Sequence, residues 1–191
     1  HDAGKQNACP DCRAFGKYDE TRIIPVTPMP DLPSQNGHTA MIGIGEYRVG
    51  SFPMMTIGLG SCIGLTLYDE TAGVGAMVHI MLPDSAGRTD RPGKYADTAV
   101  ALLVKELNLL GCKNRSLVAK MAGGACMFEY FGANLNIGER NAERVRVLLK
   151  DNHIPVIAED VGGKVGRSVT FIPQNRGKFT IRRADGTNCE L

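Results

Sequence analysis

The stretch IGLTLYDETAGVGAMVHI, residues 63–80, decides how this chain folds. Ile63–Tyr68 and Gly75–Ile80 are short runs rich in apolar residues, and Asp69-Glu70-Thr71-Ala72-Gly73 between them is polar and closed by glycine. Such a link reverses the chain and lays the two runs side by side as strands. Outward from this pair, strands are predicted at Met54–Ile57, Leu117–Met121, Val156–Ala158, Ser168–Ile172 and Lys178–Arg182. The last two form a hairpin: Val169 and Phe171 alternate with polar neighbours, Asn175-Arg176-Gly177 turns the chain, and Phe179 and Ile181 resume the alternation.

Two helices stand out. Between Lys94 and Leu110, Ala96, Ala99, Val100, Leu103, Leu107 and Leu110 recur at spacings of three and four, and Gly111 supplies a stop. A second helix begins at Asn136, a capping residue with Glu139 three positions on; it runs through Ala142, Val145, Leu148 and Leu149 and must end before Pro155. Two helices among about seven strands, without regular alternation, predict an α+β fold built on a mixed or antiparallel sheet.

The chain has 191 residues, 43% of them hydrophobic and 22% charged, which is globular composition and excludes a disulfide miniprotein, a collagen or a fully disordered chain. Lys and Arg total 22 against 20 Asp and Glu, and a net charge of +2 offers no broad footprint for nucleic acid or anionic lipid. No run approaches the roughly 18 apolar residues a membrane-spanning helix needs, so the chain reads as soluble and cytoplasmic. Cysteines at 9, 12, 62, 112, 126 and 189 are scattered as in a reducing compartment. Residues 1–40 hold Pro10, Pro25, Pro28, Pro30 and Pro33 among polar residues and read as an extended or disordered arm, which leaves 41–191 as the folded domain.

Chemistry concentrates in Thr56-Ile57-Gly58-Leu59-Gly60-Ser61-Cys62-Ile63-Gly64, where a cysteine sits in a glycine-rich turn between apolar runs. As a phosphate cradle the turn lacks the Lys-Ser/Thr ending and the following helix. As a nucleophile turn it has small neighbours around the thiol, and amides at Gly60 and Ser61 can serve an oxyanion. It leads from strand to strand, which disfavours an α/β-hydrolase. A free thiol needs a base, and His79 is the candidate that remains once His1 and His38 fall in the arm and His153 follows a helix end. The residues alone leave the plainer alternative open, because an isolated cysteine in an apolar segment is usually core.

Other candidates are weaker. Cys9-Pro10-Asp11-Cys12 has the spacing of half a zinc site or a redox pair, but no second such pair follows. Glu159 and Asp160 are adjacent in a strand and so point to opposite faces, which is wrong for joint acid and base work. Cys112 and Cys126 read as packing or turn positions and Cys189 as a frayed terminal thiol.

From about Ile42 onward the chain resembles the CheD family of bacterial chemoreceptor glutamine deamidases. The resemblance runs in order through Gly58-Leu59-Gly60-Ser61-Cys62, His79 with Leu82-Pro83-Asp84-Ser85, Gly93-Lys94-Tyr95-Ala96-Asp97-Thr98-Ala99 and Ala122-Gly123-Gly124-Ala125. It continues through Asn136-Ile137-Gly138 with Arg140-Asn141, and Ala158-Glu159-Asp160 with Gly162-Gly163 and Arg167-Ser168-Val169. The arm before Met41, and Cys126 where serine is common, depart from the pattern.

The resemblance implies a cysteine hydrolase that converts receptor glutamines to glutamates, with catalytic roles falling on Cys62, His79 and Thr56. It implies a fold shared with deamidating bacterial toxins, methyl-accepting chemotaxis receptors as protein substrate, a CheC-type phosphatase as partner, and no metal or organic cofactor. Asp84–Pro92 is the expected rim of a shallow substrate cleft. Two rival readings are a non-catalytic module that binds the phosphatase and another Cys-His hydrolase, such as a peptidase or transglutaminase.

Overall fold

The structure, a computed structural model, describes residues 13–14, 39–88, 90–126 and 136–191. In chain order its strands and α-helices are β1 (Arg13–Ala14), β2 (Ala40–Met41), β3 (Tyr47–Gly50), β4 (Met54–Leu59), β5 (Ile63–Asp69), β6 (Val74–Ile80), α1 (Ala96–Leu109), β7 (Val118–Gly123), α2 (Ile137–Asp151), β8 (Val156–Val161), β9 (Arg167–Ile172), β10 (Lys178–Arg183) and β11 (Asn188–Glu190). The strands form a six-stranded sheet in the order β1-β8-β7-β5-β6-β3 and a five-stranded sheet in the order β11-β10-β9-β4-β2. Both sheets are mixed, since β7–β8 and β2–β4 run parallel while β5–β6 and β9–β10 run antiparallel. The α+β expectation holds.

Residues 63–80 are the centre of the molecule. β5 and β6 are buried along their whole length, as strands covered on both faces must be. Side chains alternate across a strand. Ile63, Leu65 and Leu67 of β5, with Val74, Ala76, Val78 and Ile80 of β6, therefore pack against Leu103 and Leu107 of α1 and Val145 and Leu149 of α2. The alternate residues Tyr68 and Met77 face the second sheet, where they join Met54, Phe171, Phe179 and Ile181. The result is three layers: helices, six-stranded sheet, five-stranded sheet. A residue on β5 or β6 is assigned to one of the two cores by parity alone.

Both helices form where their periodicity placed them. Asn136 caps α2 by accepting the Glu139 N–H at 3.1 Å, and its own amide donates to the Glu139 carboxylate at 3.2 Å. α1 has no side-chain cap; the Ala96 N–H is instead satisfied by the Leu82 carbonyl at 2.9 Å. In the β9–β10 hairpin Phe171 lies opposite Phe179 and Val169 opposite Ile181, as expected.

The strands absent from the sequence reading are β1, β2, β3 and β11, all of two to four residues and too short to carry a pattern. β11 also corrects the expectation for Cys189, which is buried, opposite Ile181 and disulfide-bonded, and is neither a frayed terminus nor a free thiol. Of the arm, Cys9-Pro10-Asp11-Cys12 and His38 lie outside the described residues. Arg13 and Ala14 pair antiparallel with Glu159 and Ala158 on β8.

Candidate active site

The ladder of β5 and β6 brings the thiol and the imidazole to one place. Gly64 lies opposite His79, so Cys62, two residues earlier on the same face, is the diagonal neighbour of His79. His79 spends its backbone bonds on the other side: its N–H donates to the Glu46 carbonyl at 3.2 Å and its carbonyl accepts the Gly45 N–H at 2.8 Å. Gly64 and His79 are thus a non-hydrogen-bonded pair, the closer of the two antiparallel spacings. The position favours glycine, because a Cβ at Gly64 would come within 2.9 Å of Leu59 Cδ1 and 3.3 Å of Thr56 Cγ2 and push on both.

Thr56 enters from the opposite sheet. It lies on β4 opposite Val169, is fully buried, and its Oγ1 sits 2.8 Å from His79 Nδ1 and 2.8 Å from the Ile42 carbonyl oxygen. A hydroxyl has one proton, and the Ile42 carbonyl can only accept it. Thr56 Oγ1 must then accept from Nδ1–H, so the neutral ring carries its proton on Nδ1 and presents a lone pair at Nε2. Among the described residues Nε2 is buried and has no hydrogen-bond partner. Thr56 and His79 are joined directly; Cys62 is laid beside them, without a hydrogen bond from Sγ to Nε2.

Burial sets the charge state. His79 is 1% exposed, and desolvation pushes its pKa down from 6.5 to about 4. Cys62 is 9% exposed, and desolvation pushes its thiol up. Both shifts favour a thiol beside a neutral imidazole in the resting pair. Such a pair acts by general-base transfer as the sulfur attacks.

The family model described as CheD chemotactic sensory transduction matches residues 81–183. The chemoreceptor glutamine deamidase CheD of Thermotoga maritima is 53% identical over 148 residues, spanning 76% of this chain and 92% of the relative. The chain belongs to the CheD family. The chemoreceptor glutamine deamidase CheD of Halalkalibacterium halodurans is 46% identical over 148 residues, 74% of this chain and 91% of that protein. The probable chemoreceptor glutamine deamidase CheD of Archaeoglobus fulgidus is 43% identical over 152 residues, 78% of this chain and 96% of that protein.

In this CheD-family chain the glycine turn differs from expectation in one respect. The Gly60 N–H donates to the Gly58 carbonyl at 3.0 Å and is committed to the turn itself. Gly58, at φ +73°, makes that turn possible where the β4–β9 register shifts between Thr56 and Leu59. The N–H groups of Ser61 and Cys62 donate to no acceptor among the described residues. The amides open to an oxyanion are therefore Ser61 and Cys62, and Gly60 shapes the turn.

Asn141 was not singled out for the site by sequence. It is fully buried on α2, and its Nδ2 donates to the carbonyls of Ser61 and Met81, both at 2.9 Å. Besides its place in the Arg140-Asn141 block of the resemblance, its sequence signal is a polar residue on the apolar face of an amphipathic helix, beside Ala142 and Val145.

The remaining candidates stand apart from this site. Glu159 and Asp160 do face opposite ways: Glu159 pairs with Arg146 of α2 at 3.0 Å, and Asp160 with Arg167 and Arg183 on the other face, each at 3.0 Å. These charges line a cleft of about 540 Å³ that contains none of Cys62, His79 and Thr56, and they are paired within it. Cys112 is buried, and desolvation followed by the Asp69 charge pushes its thiol up to about 11, which makes it inert. Cys126 donates its N–H to the Gly163 carbonyl at 2.8 Å, a turn position as read. Within Asp84–Pro92, Ser85 is pinned by Asp97 of α1 at 3.0 and 2.9 Å while Asp84 reaches Arg144 at 2.7 Å.

Proposed function

We propose that this chain is a protein-glutamine deamidase that hydrolyses glutamine side chains of chemoreceptors to glutamate and ammonia, with residues 41–191 carrying the activity. The single observation behind the residue assignment is the relay from the Ile42 carbonyl through Thr56 Oγ1 to His79 Nδ1, which leaves Nε2 as a base without a hydrogen-bond partner among the described residues. The names of the relatives in T. maritima and H. halodurans supply the substrate class.

The chemistry balances without a cofactor. Nε2 takes the proton from Cys62 Sγ as sulfur bonds to the amide carbon, and the N–H groups of Ser61 and Cys62 receive the developing oxyanion. Nε2–H then protonates the leaving nitrogen, the C–N bond breaks, and ammonia departs from a thioester. Nε2 next deprotonates water, whose oxygen displaces sulfur to give glutamate, and the proton returns to Sγ. Thr56 holds the ring in the tautomer these transfers need.

A protein substrate suits the surroundings. The exposed large apolar residues include Met41, Ile44, Ile57 and Met81. Each lies within two residues of a group that builds the site: Ile42, Gly45, Thr56 and His79 respectively. An amphipathic receptor helix can cover such residues while one glutamine enters at Cys62. Conversion of amide to carboxylate adds a negative charge to that helix and creates a methyl-accepting position, which alters chemotaxis signalling. The family resemblance adds a CheC-type phosphatase as partner. Among the described residues no helix is long and apolar enough to cross a membrane, and we place the activity in the cytoplasm, where receptor signalling helices lie.

The test is incubation with receptor cytoplasmic fragments, reading ammonia and the amide-to-acid mass gain at glutamine. Wild type should show both with the backbone intact, and Cys62→Ala neither, at unchanged circular dichroism. Backbone cleavage would favour a peptidase, and wild-type turnover by Cys62→Ala would remove the thiol from the reaction.

A further inference from the structure

We infer that Asn141 is a positioning residue for acyl transfer, holding the Ser61–Cys62 peptide so that the Cys62 N–H faces the oxyanion. The inference rests on the deamidase reading above. Three observations carry it.

The first is where the Asn141 amide inserts. Both its acceptors are carbonyl oxygens, so the nitrogen with its two protons is the atom between them. Met81 is the position that the β5–β6 register places opposite Cys62, just past the last paired residues Ile63 and Ile80. Asn141 thus bridges the two strands where their own ladder ends. The peptide bonds here are trans. In a trans unit the carbonyl and the N–H point opposite ways. Holding the Ser61 oxygen toward α2 and Met81 turns the Cys62 N–H away from them, and that N–H meets no acceptor among the described residues.

The second observation is that the peptide on the other side of Cys62 is also held. The Cys62 carbonyl accepts the Gly124 N–H at 2.8 Å. With Ser61 O fixed by Asn141 and Cys62 O fixed by Gly124, both torsions of the nucleophile are determined, and so is the direction of its Cα–Cβ bond. The helix reaches this position because Gly138, one turn before Asn141, lacks a side chain: a Cβ there would collide with the Gly124 carbonyl.

The third is what Asn141 leaves unmade. Its Oδ1 is buried with no partner among the described residues. An unpaired buried acceptor costs stability and calls for an explanation. An apolar residue would suit this face of α2 but would leave the Ser61 and Met81 carbonyls without this donor; the amide is needed for its two protons.

The experiment separates oxyanion support from general loosening, because alkylation of a thiol by iodoacetamide forms no oxyanion whereas acyl transfer does. Asn141→Ala and Asn141→Ser, the latter retained in case the first fails to fold, are assayed per folded molecule for ammonia release from receptor fragments and for Cys62 alkylation rate. The expected result is a kcat loss on the order of tenfold to a hundredfold, since oxyanion donors are worth that much or more, with KM and the alkylation rate close to wild type. Unchanged kcat overturns the inference alone, as does a kcat loss matched by an equal change in alkylation. A wild-type chain that releases no ammonia overturns the deamidase reading and this inference with it.

Discussion

Replacing Thr56 with valine removes a hydroxyl and keeps the shape, at a position with no solvent access. Two groups then lose their partner: the His79 Nδ1–H and the Ile42 carbonyl, each 2.8 Å from Oγ1. A buried polar group left unpaired costs about 1–3 kcal/mol, so the pair sets a loss of about 2–4 kcal/mol once some relaxation is allowed. The ring can respond by moving its proton to Nε2, but Nδ1 is then a lone pair beside a methyl group and Nε2 is no longer a base. Turnover should therefore fall about a hundredfold or more, the usual worth of a positioned general base. The assay is urea unfolding followed by circular dichroism, together with ammonia release per folded molecule, with Thr56→Ser restoring both. A Thr56→Val protein within about 0.5 kcal/mol of wild type and with undiminished turnover would refute the relay.

Two further outcomes follow from the buried charges. His79 has its folded pKa lowered from 6.5 to about 4, so the folded state binds fewer protons than the unfolded chain within that interval, and stability should fall as pH drops through it by up to about 3 kcal/mol; in urea titrations wild type should lose that stability relative to His79→Gln between pH 6.5 and 4, and curves parallel across that interval would count against a neutral buried ring. For Asp160, burial pushes the carboxyl up, but hydrogen bonds and charges from Arg167 and Arg183 outweigh that and hold it low; Asp160→Asn takes the carboxylate from the nearly buried Arg167 guanidinium and should cost about 3–5 kcal/mol in chemical denaturation, whereas a neutral change would show the ion pair to be dispensable.

How much of this was legible before the structure differs from residue to residue. The reversal at residues 69–73 was legible and puts the His79 strand beside the one that follows Cys62, while the register that sets Gly64 against His79 is a finding of the structure. The capping pair Asn136 and Glu139 and the periodicity of both helices also survived intact, because they depend on neighbours within one turn. The Gly60 amide did not, since its acceptor, Gly58, becomes available only through a bulge in β4.

Local pattern therefore determined the helices, the long strands and the adjacency of the two strands next to the thiol and the imidazole, because each rests on alternation or on a few bonds between near neighbours. Tertiary structure decided the rest. Thr56 reaches His79 across two separate sheets, Asn141 reaches Ser61 from 80 residues away, and the neutral state of the pair comes from how deeply the layers bury it. Contacts of that range and the desolvation they produce depend on how layers pack, and no spacing along the chain encodes them.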